Sequence, residues 1–553
     1  MIASPSRRVG EVSRTSPALI EPPFPLPSSP TGCPQWGMPA AGPPQDVETR
    51  KQPDCRVTSS ASDRAAAMEF LLGRINYEQV PMLPYARRHL KLDRMRQLLT
   101  RLGNPDAGLP IIHVAGTKGK GSTSALIAGI LQAAGYQTGL FSSPHLERIE
   151  QRFAINGQAM LPEQLAQLVD RLRPAVRAMD GQPSRQTDLT PRPTYFELTT
   201  ALALMYFAQC QVDVAVLEVG LGGRLDSTNV CLPVVTVITS ISLDHTRQLG
   251  NSLAEIAAEK AGIIKPGVPL LCGQLDPEPR QVIAALARQQ GCRRIAASED
   301  FQYDYRPPRS LLPGRRHGRL DFVGDLPGGM LQLRDMPLRL LGKHQADNAA
   351  LALATAGELR HQGWSISAAA MRQALAEVTL PARIEILDCQ ATVVLDVAHN
   401  VASMQALVRT LGSLFTSDQE VRRASIRREW ILVLAVSRDK DVRGMLNVLL
   451  PYFRVVVATE YRDNPRAVPA LELARLVRQQ LGMEPDDPAR SRTPRSSMAR
   501  SILVESCPTD AWERARKLAQ PGQLICVTGS FFIAAELREV LLQASASVGS
   551  VSV

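Results

Sequence analysis

The chain has 553 residues and a formal net charge of +10, with 44% hydrophobic and 5% aromatic residues. This length exceeds what one core supports and predicts two domains or more. Few aromatics and scattered basic residues argue against nucleic-acid binding and favour small anionic substrates. Nine cysteines without paired metal-ligand spacing indicate reduced thiols. No apolar run could cross a bilayer, and Met1–Pro43 lacks a signal-peptide core, so we expect a cytoplasmic protein.

Proline and serine dominate residues 1–62, for which we predict a disordered extension, with the first helix following Met68. Across residues 63–380, apolar runs alternate with helical patterns, which predicts a doubly wound parallel α/β sheet. The predicted strands are Ile111–Ala115, Gln137–Phe141, Val212–Val219 and Val234–Thr239. The helical patterns between them include Pro162–Leu172 and Phe196–Gln209. Turn-forming residues concentrate in Pro307–Leu320.

A second, smaller α/β domain is predicted for residues 384–545, with its boundary near Pro381–Arg383. Its predicted strands are Thr392–Leu395, Trp430–Ala435, Val455–Thr459 and Gln523–Val527. Its predicted helices are Ala402–Leu414, Leu471–Leu481, Ala511–Leu518 and Phe532–Leu541. We interpret Ser417–Arg428 and Glu484–Arg500 as surface insertions, the latter rich in proline, serine and arginine.

The stretch from Ile111 to Thr123 predicts a polyphosphate site. A β-branched run gives way to glycines interleaved with lysines and then to a helical pattern. In such a loop, backbone N–H groups, the helix dipole and a lysine bind phosphate oxygens, and a hydroxyl holds Mg²⁺. The pattern therefore points to ATP. The candidate nucleotide-binding residues are Gly116, Thr117, Gly119, Lys120, Gly121, Ser122 and Thr123.

The match to the strict nucleotide-loop pattern is imperfect, because Gly121 separates Lys120 from Ser122. We predict that Lys120 contacts the phosphates, since it follows Gly119, and that Lys118 is a solvated neighbour. The alternative is a glycine-rich turn that merely precedes a helix.

Three further polar residues lie at or just beyond the ends of predicted strands. Glu218 lies at the end of Val212–Val219 and precedes a glycine-rich segment, His245 lies within Ser240–Thr246, and Ser143 follows Gln137–Phe141, the first strand after the nucleotide helix. Open α/β sheets bind ligands at the carboxyl ends of their strands, so these residues are candidate Mg²⁺ ligands beside the phosphates. The alternatives are a glycine hairpin with a structural acid, a packed histidine and a Ser-Pro turn.

Two other polar segments have open interpretations. Lys260 falls at a helix end, where a lysine normally interacts with the helix dipole and is exposed to solvent. The local sequence favours this structural role for Lys260. Asp396 and His399 precede a helix and are candidates to border the substrate, with Asp396 also suited to a ribose hydroxyl. Helix capping by Asn400 is the alternative for this segment, and both roles are compatible.

Eleven segments, in this order, resemble the folylpolyglutamate synthase/dihydrofolate synthase family of the Mur-ligase superfamily. They are HVAGTKGKGST (113–123), SSPHL (142–146), FELTT (196–200), EVGLGGRLDSTNV (218–230), SISLDHT (240–246), EKAGIIK (259–265), GKHQADNAA (342–350), LPARIE (380–385), DVAHN (396–400), RDKD (438–441) and GSFF (529–532). The resemblance runs from about Met68 to Leu541. It implies an N-terminal doubly wound P-loop ATPase domain and a smaller Rossmann-like C-terminal α/β domain, with the active site between them.

The resemblance also implies residue roles. Ser143, Glu218 and His245 match Mg²⁺ positions, and Lys260 matches a lysine that becomes carbamylated and binds a second metal. Lys120, His245 and Lys260 are thus expected to be catalytic. The remaining implied nucleotide contacts are Gln345, Asn348, Arg383 and Asp396. The implied cofactors are ATP and Mg²⁺ at two sites, and a monovalent cation such as K⁺ is left open.

Two motifs depart from the family pattern. Residues 397–401 read Val-Ala-His-Asn-Val where the family has Gly-Ala-His-Asn-Pro, and residues 380–383 read Leu-Pro-Ala-Arg where it has Trp-Pro-Gly-Arg. Both lose a glycine, so we expect local differences in backbone path.

The resemblance implies an ATP-dependent ligase that joins L-glutamate to a folate or dihydropteroate carboxylate through an acyl phosphate. The alternatives are a UDP-muramoyl amino-acid ligase and a non-catalytic NTP-binding protein. We expect small-molecule substrates, no nucleic-acid or membrane partner, and a monomer. Residues 222–226 resemble bacterial members that use both acceptors, but the sequence does not choose between one acceptor and two.

Overall fold

The computed structural model describes residues 61–77, 92–181, 192–389, 391–415, 430–462, 464–483, 501–520 and 523–549. Residues 1–60 of the predicted extension and both predicted insertions lie outside the described residues. Within the described ranges, no helix combines the length and apolar character needed to cross a membrane.

An eight-stranded sheet organises what we call the central unit, residues 61–377. Its strands are β1 (Ile111–Ala115), β2 (Thr138–Phe141), β3 (Phe153–Ile155), β4 (Gln158–Ala159), β5 (Val214–Glu218), β6 (Val235–Ile238), β7 (Leu270–Cys272) and β8 (Arg294–Ala296). Their order is β4-β3-β2-β5-β1-β6-β7-β8; β3 pairs antiparallel with both β2 and β4, and all other neighbouring strands are parallel. Strand β1 lies between β5 and β6, so the carboxyl ends of these three strands are adjacent.

Helices cover both faces of this sheet, as a doubly wound fold requires. They are α1 (Ala61–Leu72), α2 (Leu92–Arg101), α3 (Lys120–Ala133), α4 (Pro162–Asp180), α5 (Tyr195–Gln209), α6 (Thr246–Leu249), α7 (Leu253–Ala261), α8 (Pro277–Gln289), α9 (Lys343–His361) and α10 (Ala368–Glu377). Successive residues of β1 point to opposite faces: Ile112 and Val114 pack with α3, α9 and α10, and Ile111 packs with α2, α4 and α5. The predicted doubly wound α/β class is confirmed.

A small antiparallel sheet precedes α9. Its strands are β9 (Phe301–Arg306), β10 (Gly318–Leu326) and β11 (Gly329–Leu338). The end of the predicted turn-rich segment is therefore strand. The signal was present, because buried Leu320 and Phe322 alternate with polar residues in the period of two typical of a half-buried strand.

A six-stranded sheet forms the C-terminal unit, residues 385–549. Its strands are β12 (Glu385–Asp388), β13 (Thr392–Leu395), β14 (Trp430–Leu434), β15 (Phe453–Ala458), β16 (Ser501–Val504) and β17 (Leu524–Thr528). The order is β12-β13-β17-β14-β15-β16, and only β12 pairs antiparallel. The described helices are α11 (Val401–Phe415), α12 (Val442–Leu449), α13 (Ala470–Gln480), α14 (Pro508–Leu518) and α15 (Phe531–Gly549).

Most predicted elements agree with the structure to within a few residues. Three differ more. Met68 lies inside α1 rather than before it. Helix α4 continues through Pro174 to Asp180, and α15 continues to Gly549. The two sheets fall on either side of residues 380–384, although the exact domain boundaries stay a prediction.

Candidate active site

One cavity of about 1330 Å³ lies between the central and C-terminal units. The carboxyl ends of parallel strands from both sheets open onto it, which is where open α/β sheets place ligands. The predicted site residues on its lining are Thr117, Gly119, Lys120, Gly121, Ser122, Ser143, Glu218, His245, Gln345, Asn348, Arg383 and Asp396. Gly116, Thr123 and Lys260 lie behind this lining, as the contacts below show.

The loop between β1 and α3 is held by the segment that follows β6. The Thr117 N–H donates to the Ser240 carbonyl at 2.7 Å, and the Lys118 N–H donates to Ser240 Oγ at 3.0 Å. Gly119 precedes α3 with φ +80°, a conformation that favours glycine. A Cβ on Gly119 would stand 2.1 Å from Oδ1 of Asn348. The loop therefore needs glycine here for its backbone angle and for its close approach to α9.

Replacing Gly119 with alanine should abolish nucleotide binding. The substitution meets both a strained φ, which costs about 1–2 kcal/mol, and the collision with Asn348. Gly103→Ala is the matched control, because Gly103 has φ +82° and open space where its Cβ would stand. Calorimetric ADP titration should show that Gly119→Ala has lost binding and that Gly103→Ala retains it. Because both variants carry a similar backbone strain, their melting temperatures should fall by similar amounts. ADP binding by Gly119→Ala at wild-type affinity would contradict this account.

The two loop lysines have different surroundings. The Lys118 ammonium is 2.7 Å from Oδ2 of Asp244, so the prediction of a solvated Lys118 is wrong. Burial would raise the pKa of Asp244, but Lys118, His245 and Lys440 outweigh it and hold that pKa well below its ordinary value. In contrast, no carboxylate of a described residue lies within 4.0 Å of the Lys120 ammonium, which leaves it available to a ligand in the cavity.

Ser143 and Glu218 come together from neighbouring strands. The Ser143 N–H donates to Oε2 of Glu218 at 3.1 Å. A Cβ on Gly121 would be 3.4 Å from the same oxygen, so the carboxylate faces the phosphate loop. Burial raises the pKa of Glu218 above its ordinary value, and the Lys120 ammonium opposes that rise. A buried carboxyl of this kind gains from a bound cation, which replaces the water it has lost.

His245 lies on the same lining, just after β6. Its backbone has φ +51°, in the left-handed region, and its side chain is 38% exposed where it opens into the cavity. Protein packing and the ammonium groups of Lys440, Lys120 and Lys260 lower the pKa of His245 to about 4, although Asp244 opposes them. The imidazole is thus neutral at pH 7, as metal ligation requires.

Lys260 is buried beneath the phosphate loop, with only 4% exposure. Its ammonium donates to the Gly116 carbonyl at 2.9 Å. The residue-based interpretation of a solvated helix-end lysine is therefore wrong, because α7 ends against the loop rather than at the surface. Burial, followed by repulsion from Lys120, lowers the pKa of Lys260 to about 7.

The first turn of α9 packs against the start of α3. Asn348 donates through Nδ2 to Oε1 of Gln345 at 3.0 Å, and Thr123 Oγ1 donates to Asn348 Oδ1 at 3.5 Å. The hydroxyl of Thr123 thus points to α9, so Ser122, which lines the cavity, is the hydroxyl that can reach a phosphate-bound cation.

The link between the units has a strained backbone. Ala382 and Ile384 both have φ +52°, so alanine keeps a left-handed conformation where the family pattern has glycine. The Asp396 carboxylate accepts from the Ile384 N–H at 2.9 Å and from the Ala398 N–H at 2.8 Å. The Arg383 guanidinium stacks 5.1 Å from the ring centre of Phe531, and burial lowers its pKa. Asp396 therefore fixes the link from which Arg383 projects.

The DVAHN segment combines the two roles left open by its sequence. Asp396 and His399 border the cavity, and Asn400 caps α11, accepting from the Ser403 N–H at 3.0 Å. Burial lowers the pKa of His399 to about 3, and its Nδ1 donates to the Val397 carbonyl at 2.8 Å. The His399 ring is thus neutral, and its unprotonated Nε2 can accept a hydrogen bond.

Two cavity residues were missed in the sequence. Asp244 pairs with Lys118, and its only signal in the sequence was its position beside the predicted ligand His245. Arg152, buried on the cavity wall, donates from Nε to Nδ1 of His145 at 2.8 Å. Its position outside any strand-end motif gave no signal.

Comparison with known proteins agrees with this geometry. The Mur ligase middle domain matches residues 114–356, and the Mur ligase, glutamate ligase domain matches residues 382–531. A folylpolyglutamate synthase of Lacticaseibacillus casei is 34% identical over 453 residues, which cover 81% of this chain and 94% of that protein. The chain belongs to the folylpolyglutamate synthase/dihydrofolate synthase family of Mur ligases. The predicted family, and its class of ATP-dependent ligases, are confirmed.

Other members of the folylpolyglutamate synthase/dihydrofolate synthase family extend this result. A dihydrofolate synthase/folylpolyglutamate synthase of Bacillus subtilis (strain 168) is 36% identical over 391 residues, covering 69% of this chain and 83% of the relative. The structure of Mycobacterium tuberculosis folylpolyglutamate synthase complexed with ADP superposes with a TM-score of 0.72 at 31% identity, covering 87% and 98% of the two chains. E. coli FolC in complex with DHPP and ADP gives 0.67 at 29% identity, covering 88% and 99%. Nucleotide-bound relatives support ATP binding.

The donor set suits Mg²⁺ held jointly with phosphate. Ser143 offers a hydroxyl, Glu218 a carboxylate and His245 a neutral imidazole. The described part of the chain contains no group of three His, Cys, Asp or Glu side chains that could hold a metal alone. Because Mg²⁺ keeps several waters and takes phosphate oxygens, this sparse set of donors fits a cation that arrives with ATP.

Proposed function

We propose that this ligase uses ATP to join L-glutamate to the carboxylate of a folate or a dihydropteroate. The observation that carries the proposal is the Lys120 ammonium, which has no carboxylate partner among the described residues and lies with the Glu218–Ser143 pair on one cavity that both units line. The L. casei and B. subtilis relatives, named for folylpolyglutamate and dihydrofolate synthesis, support the substrate class.

The proposed reaction has two steps. An acceptor carboxylate oxygen attacks the γ-phosphorus of ATP, the bond to the β-phosphate oxygen breaks, and ADP leaves. The glutamate amine then attacks the acyl carbon, loses a proton and expels inorganic phosphate. Lys120 neutralises the charge on the transferring phosphoryl group, and the loop N–H groups orient it. The C-terminal unit covers the cavity and excludes water from the acyl phosphate.

We propose Mg²⁺ at Ser143, Glu218 and His245, where it would neutralise phosphate charge. Further nucleotide contacts are proposed for Gln345, Asn348, Arg383 and Asp396, all on the cavity lining. We also propose that Lys260 becomes carbamylated, which turns a buried amine into an anionic ligand for a second Mg²⁺. Its pKa of about 7 supports this proposal, because CO₂ reacts with a neutral amine.

Carbamylation of Lys260 predicts a labelled carbonyl signal after incubation with ¹³C-bicarbonate. Since the pKa of Lys260 is about 7 instead of the ordinary 10.5, the signal should be strong at about pH 8 and decline as protonation removes the neutral amine towards about pH 6. Lys260→Ala should lose the signal and activity, with activity partly restored by acetate. Lys265→Ala is the control, because Lys265 is a half-buried lysine whose ammonium donates to the Asn229 carbonyl, away from the loop. The absence of a Lys260-dependent carbonyl signal would refute carbamylation, and normal activity in Lys260→Ala would refute a catalytic role for Lys260.

Product analysis tests the proposed substrates. Purified protein with ATP and glutamate should release ADP only when a folate or dihydropteroate acceptor is present, and mass spectrometry should show the acceptor heavier by one glutamate or more. Activity with a UDP-muramoyl acceptor alone would establish the rival ligase, and glutamate-independent ATP binding without turnover would establish the non-catalytic alternative.

We further propose that the protein is a cytoplasmic monomer without nucleic-acid or membrane partners. Gel filtration of the purified protein tests the proposed oligomeric state.

A further inference from the structure

Asp244 makes contacts to both units from one half-buried carboxylate. Its Oδ2 lies 2.7 Å from the Lys118 ammonium of the phosphate loop and accepts from Nδ2 of Asn400 at 3.1 Å. Its Oδ1 accepts from the His245 N–H at 3.0 Å and lies 3.9 Å from the Lys440 ammonium. Asn400 and Lys440 belong to the C-terminal unit, so this carboxylate is a polar junction across the cavity.

The partners of Asp244 on both sides of the junction are held in place by further hydrogen bonds. Oδ1 of Asn400 accepts from the Ser403 N–H and caps α11, which fixes the amide so that its Nδ2 faces Asp244. On the other side, the Ser240 Oγ and Thr239 Oγ1 groups both donate to the Lys118 carbonyl and hold the loop against the segment after β6. Asp244 therefore joins two elements that are each locally fixed.

The Asp244 carboxylate also offsets the repulsion between two lysines of opposite units. Lys118 and Lys440 approach the cavity from opposite units, and two ammonium groups at short range repel each other. The Asp244 carboxylate lies between them, with 10% exposure, where screening by salt is weak. Its removal would leave both cations facing across the gap and would favour separation of the units.

We propose that Asp244 is a positioning residue that holds the C-terminal unit over the phosphate loop and so keeps water from the reacting acyl group. This inference rests on the proposed ligase function for its kinetic test, and its structural test is independent of catalysis. Asp244 acts through Lys118, Asn400 and Lys440, and no contact of Asp244 with substrate is invoked.

Two variants isolate the junction. Asp244→Asn removes the charge and keeps the shape, and Asn400→Ser keeps a helix-capping oxygen but loses the amide donor. The double variant Asp244→Asn with Asn400→Asp exchanges the two groups and restores a carboxylate–amide bond. Asp439→Asn is the control, because it removes a carboxylate 3.6 Å from the same Lys440 ammonium but within the C-terminal unit.

Two quantities are measured: amide hydrogen exchange, and coupling, which is the glutamate incorporated per ATP consumed. Both single variants should raise amide exchange in residues 399–404 and, in an enzyme first shown to be active, lower the glutamate incorporated per ATP consumed by about tenfold, as expected for losing a buried charged contact across an interface. The double variant should recover most of both, and Asp439→Asn should resemble wild type. Unchanged exchange and coupling in Asp244→Asn, or no recovery in the double variant, would overturn the proposal. A wild-type enzyme without ligase activity would refute the proposed function, and the exchange result would still decide the role of Asp244.

Discussion

Replacing Lys120 with alanine is expected to lower glutamate-dependent ADP release by about 10²- to 10³-fold, the range seen when one electrostatic clamp on a transition state is removed. The ammonium has no described carboxylate partner and faces the cavity beside Gly121 and Glu218. Its charge is therefore available to the transferring phosphoryl group, whose negative charge it offsets as the bond to ADP breaks. Steady-state kinetics at saturating ATP would measure the loss in kcat.

Lys118→Ala is the internal control for this prediction. Lys118 is committed to Asp244 at 2.7 Å, so it acts on the loop and the unit junction more than on the phosphates. We expect a loss of about tenfold or less, together with the poorer coupling predicted for Asp244→Asn. Equal losses of kcat in Lys118→Ala and Lys120→Ala would show that the two lysines are not divided in this way.

Glu218→Gln is expected to raise the Mg²⁺ concentration needed for half-maximal activity by about tenfold or more and to lower turnover. The amide keeps the bond from the Ser143 N–H, at 3.1 Å in the parent protein, while losing the charge that a hard cation prefers. Burial raises the pKa of this carboxyl, which means that its charged form is unfavourable in the folded protein. Replacing it with a neutral amide should therefore not lower the melting temperature appreciably. A titration of activity with Mg²⁺, paired with a melting curve, measures both effects.

Glu150→Gln provides the matched comparison. Glu150 is as buried as Glu218, but its carboxylate pairs with Arg64 at 2.6 Å and does not line the cavity. It should lower the melting temperature through the broken ion pair and leave the Mg²⁺ dependence as in wild type. A Glu218→Gln variant that loses stability but keeps wild-type Mg²⁺ dependence would make Glu218 a structural acid.

The sequence predicted the parts of the site that local pattern encodes. Strand β1 with its glycine loop, and the polar residues at or beyond the ends of β2, β5 and β6, could be located because strand ends in a parallel sheet share one edge. The order of β2, β5, β1 and β6 then brings these ends together. The capping role of Asn400 was also readable, since an amide before a helix is a common cap.

Contacts between distant elements could not be read in the same way. Lys260 and Lys118 each looked like solvated lysines, because their local sequences resemble a helix end and a loop. Burial under Gly116 and pairing with Asp244 depend on how α7 and the segment after β6 pack against β1. The antiparallel sheet of β9 to β11 was missed for a different reason, since its turn-forming residues outweighed a period-two pattern.

An oxygen-transfer measurement tests the acyl-phosphate ligase most directly. The acceptor is prepared with ¹⁸O in the carboxylate that receives glutamate, and the inorganic phosphate is examined by mass spectrometry after turnover. Attack by that carboxylate on the γ-phosphorus, followed by expulsion of phosphate by the amine, transfers one ¹⁸O to each phosphate released. We predict phosphate carrying one labelled oxygen, formed in equal amount with the glutamate-extended product. Unlabelled phosphate accompanying that product would contradict the mechanism.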